Sequence, residues 1–180
     1  MQERERKQRL FFALWPDDDV RRRIASVAVR VDAPGGKPQA VSNLHITLVF
    51  LGAMSAEQRA CAEACAQGIV QAPFTLSLTH TGFFPKPRVV WLAADRQPPE
   101  LLALVEGLGA GLERCGYRSE KRPYHAHITL FRKAPRPRAS LQIEPIEWRV
   151  GQFCLVESVS VEGGVEYRVL REYSLGRRSL

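Results

Sequence analysis

The sequence carries the tetrapeptide His-Ile-Thr-Leu twice, at residues 45–48 and, 82 positions later, at residues 127–130. Each copy lies in a run rich in β-branched and aromatic residues, which predicts a β-strand in both places. Because side chains alternate across a strand, the histidine and threonine of each copy share one face. Only four histidines occur in the chain, and two of them begin these repeats. Two such strands facing one another would form a cleft holding two imidazoles and two hydroxyl groups.

These residue types suit acid–base chemistry at a phosphate. Histidine titrates near neutrality, so one imidazole can accept a proton from an attacking oxygen while the other donates one to a leaving oxygen. We therefore predict His45 and His127 as catalytic residues, and the residues alone do not tell the acid from the base. Thr47 and Thr129 can donate hydrogen bonds to non-bridging phosphate oxygens, where negative charge develops. The scheme needs no metal ion, and we predict no cofactor.

The elements that position these strands follow from caps, turns and periodicity. The first motif strand is predicted over residues 44–51, closed by Gly52, and the second over residues 126–131. Helices are predicted after Asp17 to about residue 31, after the Ser55/Gln58 capping box to about residue 69, and over residues 100–115. We infer an α+β fold of two antiparallel sheets with helices on the outside, a central cleft and an internal pseudo-twofold duplication. Residues 1–180 form a single bilobal domain in this prediction, with residues 1–8 a flexible extension.

Composition favours a polyanionic partner. A formal net charge of +7 attracts phosphate ligands, although charge alone does not choose among RNA, DNA and an anionic surface. No apolar segment approaches transmembrane length, so we expect a cytoplasmic protein without a membrane partner, and a monomer by default.

The four cysteines show no metal-binding spacing. Cys61 and Cys65 lie four residues apart on one predicted helix face and are interpreted as small buried hydrophobic residues, as free thiols in a reducing cytoplasm. A structural zinc site would need more ligands at closer spacing.

A family resemblance accompanies the two motifs. The chain resembles the 2H phosphoesterase superfamily, and its flanking segments resemble the RNA 2′,3′-cyclic phosphodiesterases, also called 2′-5′ RNA ligases. The resemblance extends from near the N-terminus almost to the C-terminus. The matching stretches are RLFFAL (9–14), NLHITLVFLG (43–52), GFFPKPRVVW (82–91), RPYHAHITLFR (122–132), LVES (155–158) and residues 167–175.

The resemblance implies a bilobal fold and a function. It implies hydrolysis of a 2′,3′-cyclic phosphate at an RNA end, or of a cyclic nucleotide, to a 2′-phosphomonoester. In that scheme His127 activates water, His45 protonates the departing 3′ oxygen and Arg132 binds phosphate. By microscopic reversibility the same residues could join a 5′-hydroxyl to the cyclic phosphate in a 2′-5′ linkage.

Several alternatives stay open at this point. Phe12, Phe84 and Tyr124 are all candidates for stacking on a nucleobase. His125 and His127 form a His-x-His pair that also suits zinc, which makes a metal-dependent phosphoesterase an alternative. The same threonines and arginine could also serve a non-catalytic module that binds nucleotides or RNA ends.

Overall fold

The computed structural model describes residues 7–176, and the predicted N-terminal extension lies largely outside them. Strand β1 already includes Gln8, so the prediction of an extension does not hold for residue 8. The strands are β1 Gln8–Leu14, β2 Lys37–Pro38, β3 Ile46–Met54, β4 Phe74–Phe84, β5 Val89–Ala94, β6 Ile128–Arg132, β7 Gln142–Val150, β8 Gln152–Val161 and β9 Gly164–Ser174. The α-helices are α1 Asp18–Ala28, α2 Ala56–Gln67 and α3 Pro99–Leu112.

The predicted α+β class is confirmed, but the strands of the described chain form one continuous nine-stranded antiparallel sheet where two sheets were predicted. The strand order is β7-β4-β5-β6-β3-β1-β8-β9, with β2 added beside β6. The first four strands form one half and the last four the other. The halves meet where β3 and β6 pair through Ile46 and Ile128. The two motif strands are therefore antiparallel neighbours at the centre of the molecule.

The helices join the two halves through shared apolar contacts. Asp17 caps α1 by accepting from the Val20 amide at 2.9 Å, and α1 contacts β7. The predicted capping box of Ser55 and Gln58 begins α2. Helices α2 and α3 contact each other and β3, and one main apolar cluster includes residues of all three helices and of both sheet halves. Burial of this shared core fixes the motif strands relative to one another.

Both motif strands begin one residue after their histidine, which differs from the prediction. Gly52 also does not close the first strand, because β3 continues to Met54. Gly52 has φ +75°, where a side chain would be strained, and the pairing of β1 with β3 shifts register beside it. The glycine therefore makes a β-bulge rather than a strand end.

The prediction of a free thiol is wrong for Cys61. Cys61 of α2 forms a disulfide with Cys115, which follows α3, while Cys65 and Cys154 are free and buried. Spacing along α2 relates Cys61 only to Cys65. The partner is brought near by the packing of α2 against α3, which the sequence pattern does not report.

Within residues 7–176, no helix is both long enough and apolar enough to cross a membrane. The monomeric state and the cytoplasmic location remain predictions.

Candidate active site

The central strand pair brings the two motifs together. In an antiparallel pair, residues on either side of the Ile46–Ile128 match face one another, so position 45 lies across from 129 and position 47 across from 127. Directly opposed side chains have Cβ atoms about 4.5–5.5 Å apart. Each histidine thus lies across from the threonine of the other motif, on one face of the sheet. The predicted group of two histidines and two threonines forms at this junction.

His45 is held by hydrogen bonds at both ring nitrogens. Its Nδ1 lies 2.6 Å from the carbonyl oxygen of Asn43, and its Nε2 lies 3.0 Å from Oγ1 of Thr47. A carbonyl oxygen only accepts, so Nδ1 carries the proton and Nε2 of the neutral ring is the acceptor for the Thr47 hydroxyl. The protonatable nitrogen of His45 therefore points toward the motif threonine.

Aromatic rings enclose His45. Trp15 stacks on the imidazole with centroids 5.5 Å apart, and Phe11 and Tyr167 contact it at 5.0 and 5.1 Å. Only 9% of the residue is exposed. This burial is the main reason that the pKa of His45 falls from its ordinary 6.5 to about 4. At neutral pH the imidazole is neutral in the free protein.

Nearby charges act on His45 in the same direction as burial. Arg132, His127 and Arg21 lower its pKa, and the hydrogen bond to the Asn43 carbonyl opposes them. Arg21 donates to the carbonyls of Val41 and Pro16 at 2.8 and 2.9 Å. These bonds hold Arg21 of α1 in the surroundings of the site.

His127 has the same tautomer in a more open place. Its Nδ1 lies 2.8 Å from the carbonyl oxygen of His125 and therefore carries the proton. Within residues 7–176, its Nε2 has no hydrogen-bond partner. Burial lowers the pKa of His127, with His125 and Arg132 acting in the same direction and the carbonyl bond opposing. A neutral ring with a free Nε2 can accept a proton from a bound molecule.

Arg132 supplies positive charge at the end of β6. Its position pairs with Lys37 of β2, and the side chain is exposed. Because its charge acts on both His45 and His127, a phosphate between the imidazoles would lie within its field.

The three residues predicted to stack on a nucleobase lie in different surroundings. Phe12 is fully buried and packs against Phe153 and Tyr173, so this prediction is wrong. Phe84 contacts the His127 ring edge to face at 4.9 Å. Tyr124 donates its hydroxyl to the Thr47 carbonyl at 2.9 Å.

Alternation along β1 explains the error at Phe12. Ala13 pairs with Thr47, so the side chains of 11, 13 and 15 lie on the face that carries the motif residues. The run Leu10–Leu14 is buried on both faces, and a continuous apolar run does not reveal which phenylalanine faces the site.

Other residues around His45 were also missed by sequence reasoning. The Asn43 side chain donates to the Val165 carbonyl at 2.8 Å and accepts from the Tyr167 amide at 3.3 Å. These bonds join the segment before β3 to strand β9, far away in sequence. A short-range pattern carries no signal for such a contact.

A cavity of about 990 Å³ opens beside His127. Thr47, Phe84 and Tyr124 line it, together with residues of α3 that include the exposed Glu106 and Ala110. His45 is absent from its lining, within the described chain. The open space of the site therefore lies on the His127 side.

The metal-dependent alternative requires further ligands near His125 and His127. His125 contacts Phe84 and Trp91 at 5.6 and 5.0 Å between ring centroids. Among the residues that the structure describes, no third potential ligand converges with His125 and His127. Zinc in proteins usually has at least three protein ligands, so the geometry gives the metal alternative no support.

Comparison with known proteins identifies the family. Residues 16–162 match the model of the 2′-5′ RNA ligase superfamily. The chain belongs to the 2′-5′ RNA ligase superfamily. It is 36% identical over 173 residues to an RNA 2′,3′-cyclic phosphodiesterase of Escherichia coli K12, covering 93% of this chain and 97% of that relative. A relative of the same name from Thermus thermophilus is 36% identical over 180 residues, covering 93% and 90%.

Solved structures of superfamily members have the same fold. E. coli LigT in its apo form superimposes with a TM-score of 0.86 at 34% identity, covering 96% of this chain and 99% of that one. LigT complexed with 3′-AMP gives a TM-score of 0.85 at 35% identity, covering 95% and 99%. The predicted superfamily and enzyme class are thus confirmed.

Proposed function

We propose that this chain hydrolyses RNA 2′,3′-cyclic phosphate ends to 2′-phosphomonoesters, with His127 as general base and His45 as general acid. The observation that carries this proposal is the antiparallel match of Ile46 with Ile128, which sets the two imidazoles on one face of the sheet. Relatives covering most of the chain are named for this activity. A net positive charge of +7 favours a polyanionic substrate, as an RNA is.

The reaction is an in-line displacement at phosphorus. Nε2 of His127 takes a proton from water as the water oxygen bonds to phosphorus, and His45 gives a proton to the 3′ oxygen as that bond breaks. The hydroxyls of Thr47 and Thr129 donate to the non-bridging oxygens, and Arg132 balances their negative charge. The 2′ oxygen keeps its bond, so the product is a 2′-phosphomonoester.

Substrate binding favours protonation of His45, the general acid. In the free protein His45 is neutral because its pKa is about 4. Burial disfavours the charged ring because it removes the surrounding water. A phosphodiester anion beside the ring favours the imidazolium and so raises the pKa of His45. Proton uptake by His45 therefore accompanies binding, whereas His127 is already in its basic form.

The main test is phosphorus NMR of the products from an oligonucleotide with a 2′,3′-cyclic phosphate end. The proposal requires a 2′-phosphomonoester as the sole early product. A 3′-phosphomonoester, or an unchanged substrate, would contradict the proposal.

The same assay separates the two alternatives. A metal-dependent phosphoesterase would lose activity in a strong chelator and regain it with zinc, whereas the two-histidine mechanism keeps full activity. A binding module would hold cyclic nucleotides and RNA ends without turnover.

Ligation is a second candidate activity, favoured by the position of the cavity. In an in-line displacement the entering oxygen arrives from the side of the base. The 990 Å³ cavity begins at His127 and leaves room for more than water, so the 5′-hydroxyl end of a second RNA can approach phosphorus there. Attack by that hydroxyl, with loss of the 3′ oxygen bond, forms a 2′-5′ linkage.

A bulky residue in the cavity wall tests ligation separately from hydrolysis. Ala110 is an exposed residue of α3 that lines the cavity, and Ala103 is an exposed residue of the same helix outside it. Ala110→Phe should reduce ligation of a 5′-hydroxyl oligonucleotide several-fold more than hydrolysis, because water needs less space. Ala103→Phe should change neither. Equal effects of Ala110→Phe on both reactions would contradict the proposal that the 5′-hydroxyl RNA binds in this cavity.

A further inference from the structure

Three cysteine sulfurs converge where α2 packs against the end of α3, and none of the three cysteines lines the cavity beside His127. Cys61 and Cys65 lie one turn apart on α2, and Cys115 follows α3. The three Sγ atoms all lie within 4.8 Å of one another. The described chain contains no other group of three potential metal ligands that meets this closeness. The cluster is outside the proposed active site and is unused by its chemistry.

The spacing of these sulfurs suits a shared ion. Sγ of Cys65 lies 3.6 Å from Sγ of Cys115. Four sulfurs around zinc, each about 2.3 Å from the ion in a tetrahedron, are about 3.8 Å apart. The unbonded pair thus already has the separation of two ligands, and opening the disulfide would let the Cys61 and Cys115 sulfurs move apart to the same distance.

Cys65 bonds to two neighbours, and one of them, Arg114, suits a charged sulfur. Nε of Arg114 donates to its Sγ at 3.3 Å, while the thiol lies 3.0 Å from the carbonyl oxygen of Gly111. Three thiolates with a divalent cation keep one net negative charge, which the guanidinium of Arg114 can balance. Cys65 and Cys115 are buried and Cys61 is half-buried, so the cluster is shielded but reachable from the Cys61 side.

We propose that Cys61, Cys65 and Cys115 form a binding site for a soft metal ion of the zinc class when the disulfide is reduced. A dithiol reductant supplies two electrons and two protons, which convert the Cys61–Cys115 bond into two thiols while the dithiol becomes a disulfide. The metal then displaces the thiol protons and binds three thiolates. Oxidation to the disulfide removes two of the ligands, so the site exists only in the reduced protein.

The test uses the full-length protein reduced with a phosphine and titrated with Cd²⁺ as a probe for zinc. We expect a thiolate-to-cadmium charge-transfer band that saturates at one ion per chain and disappears when Zn²⁺ competes. Cys65→Ser should weaken binding by at least about tenfold, since even outer partners of metal ligands cost roughly 10–100-fold. Cys154→Ser, which changes a buried free cysteine outside the cluster, should bind as the wild type does.

Three outcomes would overturn the metal site. One is the absence of the band in reduced protein, and another is an equally strong band in the Cys65→Ser variant. The third is loss of the native circular dichroism on reduction alone, because the ligands would then no longer converge. Reduced protein that binds no Cd²⁺ but reoxidises to a mixture of Cys61–Cys115 and Cys65–Cys115 disulfides would identify a thiol–disulfide exchange cluster instead.

Discussion

The two halves of the site carry the same tetrapeptide in different surroundings. His45 is enclosed by Trp15, Phe11 and Tyr167 and bonded at both ring nitrogens. His127 faces a large cavity, and only its Nδ1 is bonded within the described chain. The comparison shows that the repeated motif gives both histidines the same tautomer, with Nδ1 bonded to a backbone carbonyl. The residues around each ring then make the burial of His45 differ from that of His127. We expect this difference to separate the acid from the base.

Removing either imidazole should have the largest effect. His45→Ala or His127→Ala should lower kcat for a 2′,3′-cyclic phosphate by about a hundredfold to ten-thousandfold, the usual contribution of a general acid or base. His80→Ala is the matched control, because His80 lies on β4 outside the residues that line the cavity, and this variant should keep most of the activity. Near-wild-type turnover in either motif variant would remove the two-histidine mechanism.

The burial of His45 should also appear in the pH dependence of stability. A lowered folded pKa means that the unfolded state binds the proton more tightly, so His45 stabilises the fold fully above pH 6.5. That contribution is lost as the pH falls through the folded pKa of about 4. Between pH 7 and pH 4, the wild type should lose about 3 kcal/mol more free energy of unfolding than His45→Gln. Denaturant unfolding at both pH values measures this, and equal losses in the two proteins would contradict it.

Opening the aromatic enclosure should make the two histidines more alike. Trp15→Ala exposes one face of the His45 ring to water, so its pKa should rise toward 6.5 by on the order of one unit. Phe84→Ala should move the pKa of His127 upward and leave that of His45 unchanged, since of the two motif histidines Phe84 contacts His127. Proton NMR titration of the histidine signals follows both. An unchanged His45 in Trp15→Ala would show that the enclosure does not set its pKa.

The smallest effect is expected from Asn43, whose side chain bonds to the strand that carries Tyr167. Asn43→Ala removes the side-chain bonds to the Val165 carbonyl and the Tyr167 amide. The free energy of unfolding should fall by about 1–2 kcal/mol, with a smaller loss of activity than in the histidine variants. Thermal unfolding gives the first quantity, and a loss of activity as large as that of His45→Ala would contradict a supporting role.

Much of this arrangement can be predicted from short-range patterns. The repeated tetrapeptide predicts the two motif strands, and Asp17 and the Ser55/Gln58 pair predict two helix starts. These features depend on neighbouring residues, so local sequence contains their physical cause. The meeting of the two motifs rests on their recurrence and on the family resemblance.

Features that depend on distant contacts could not be predicted. Tyr167 reaches His45 through the register of β8 and β9, and Cys115 reaches Cys61 through the packing of α2 on α3. The sequence does not show that Phe11, and not Phe12, faces the site, because β1 is buried on both faces. In each case the deciding interaction joins residues far apart in the chain.

A substrate whose leaving group needs no acid tests the division of roles most directly. Sulfur in place of the bridging 3′ oxygen of the cyclic phosphate departs as a thiolate without protonation. His45→Ala should therefore regain most of its lost rate on this substrate, and His127→Ala should not, since water still needs a base. Rescue of His127→Ala instead, or equal loss in both variants, would contradict the assignment of acid to His45 and base to His127.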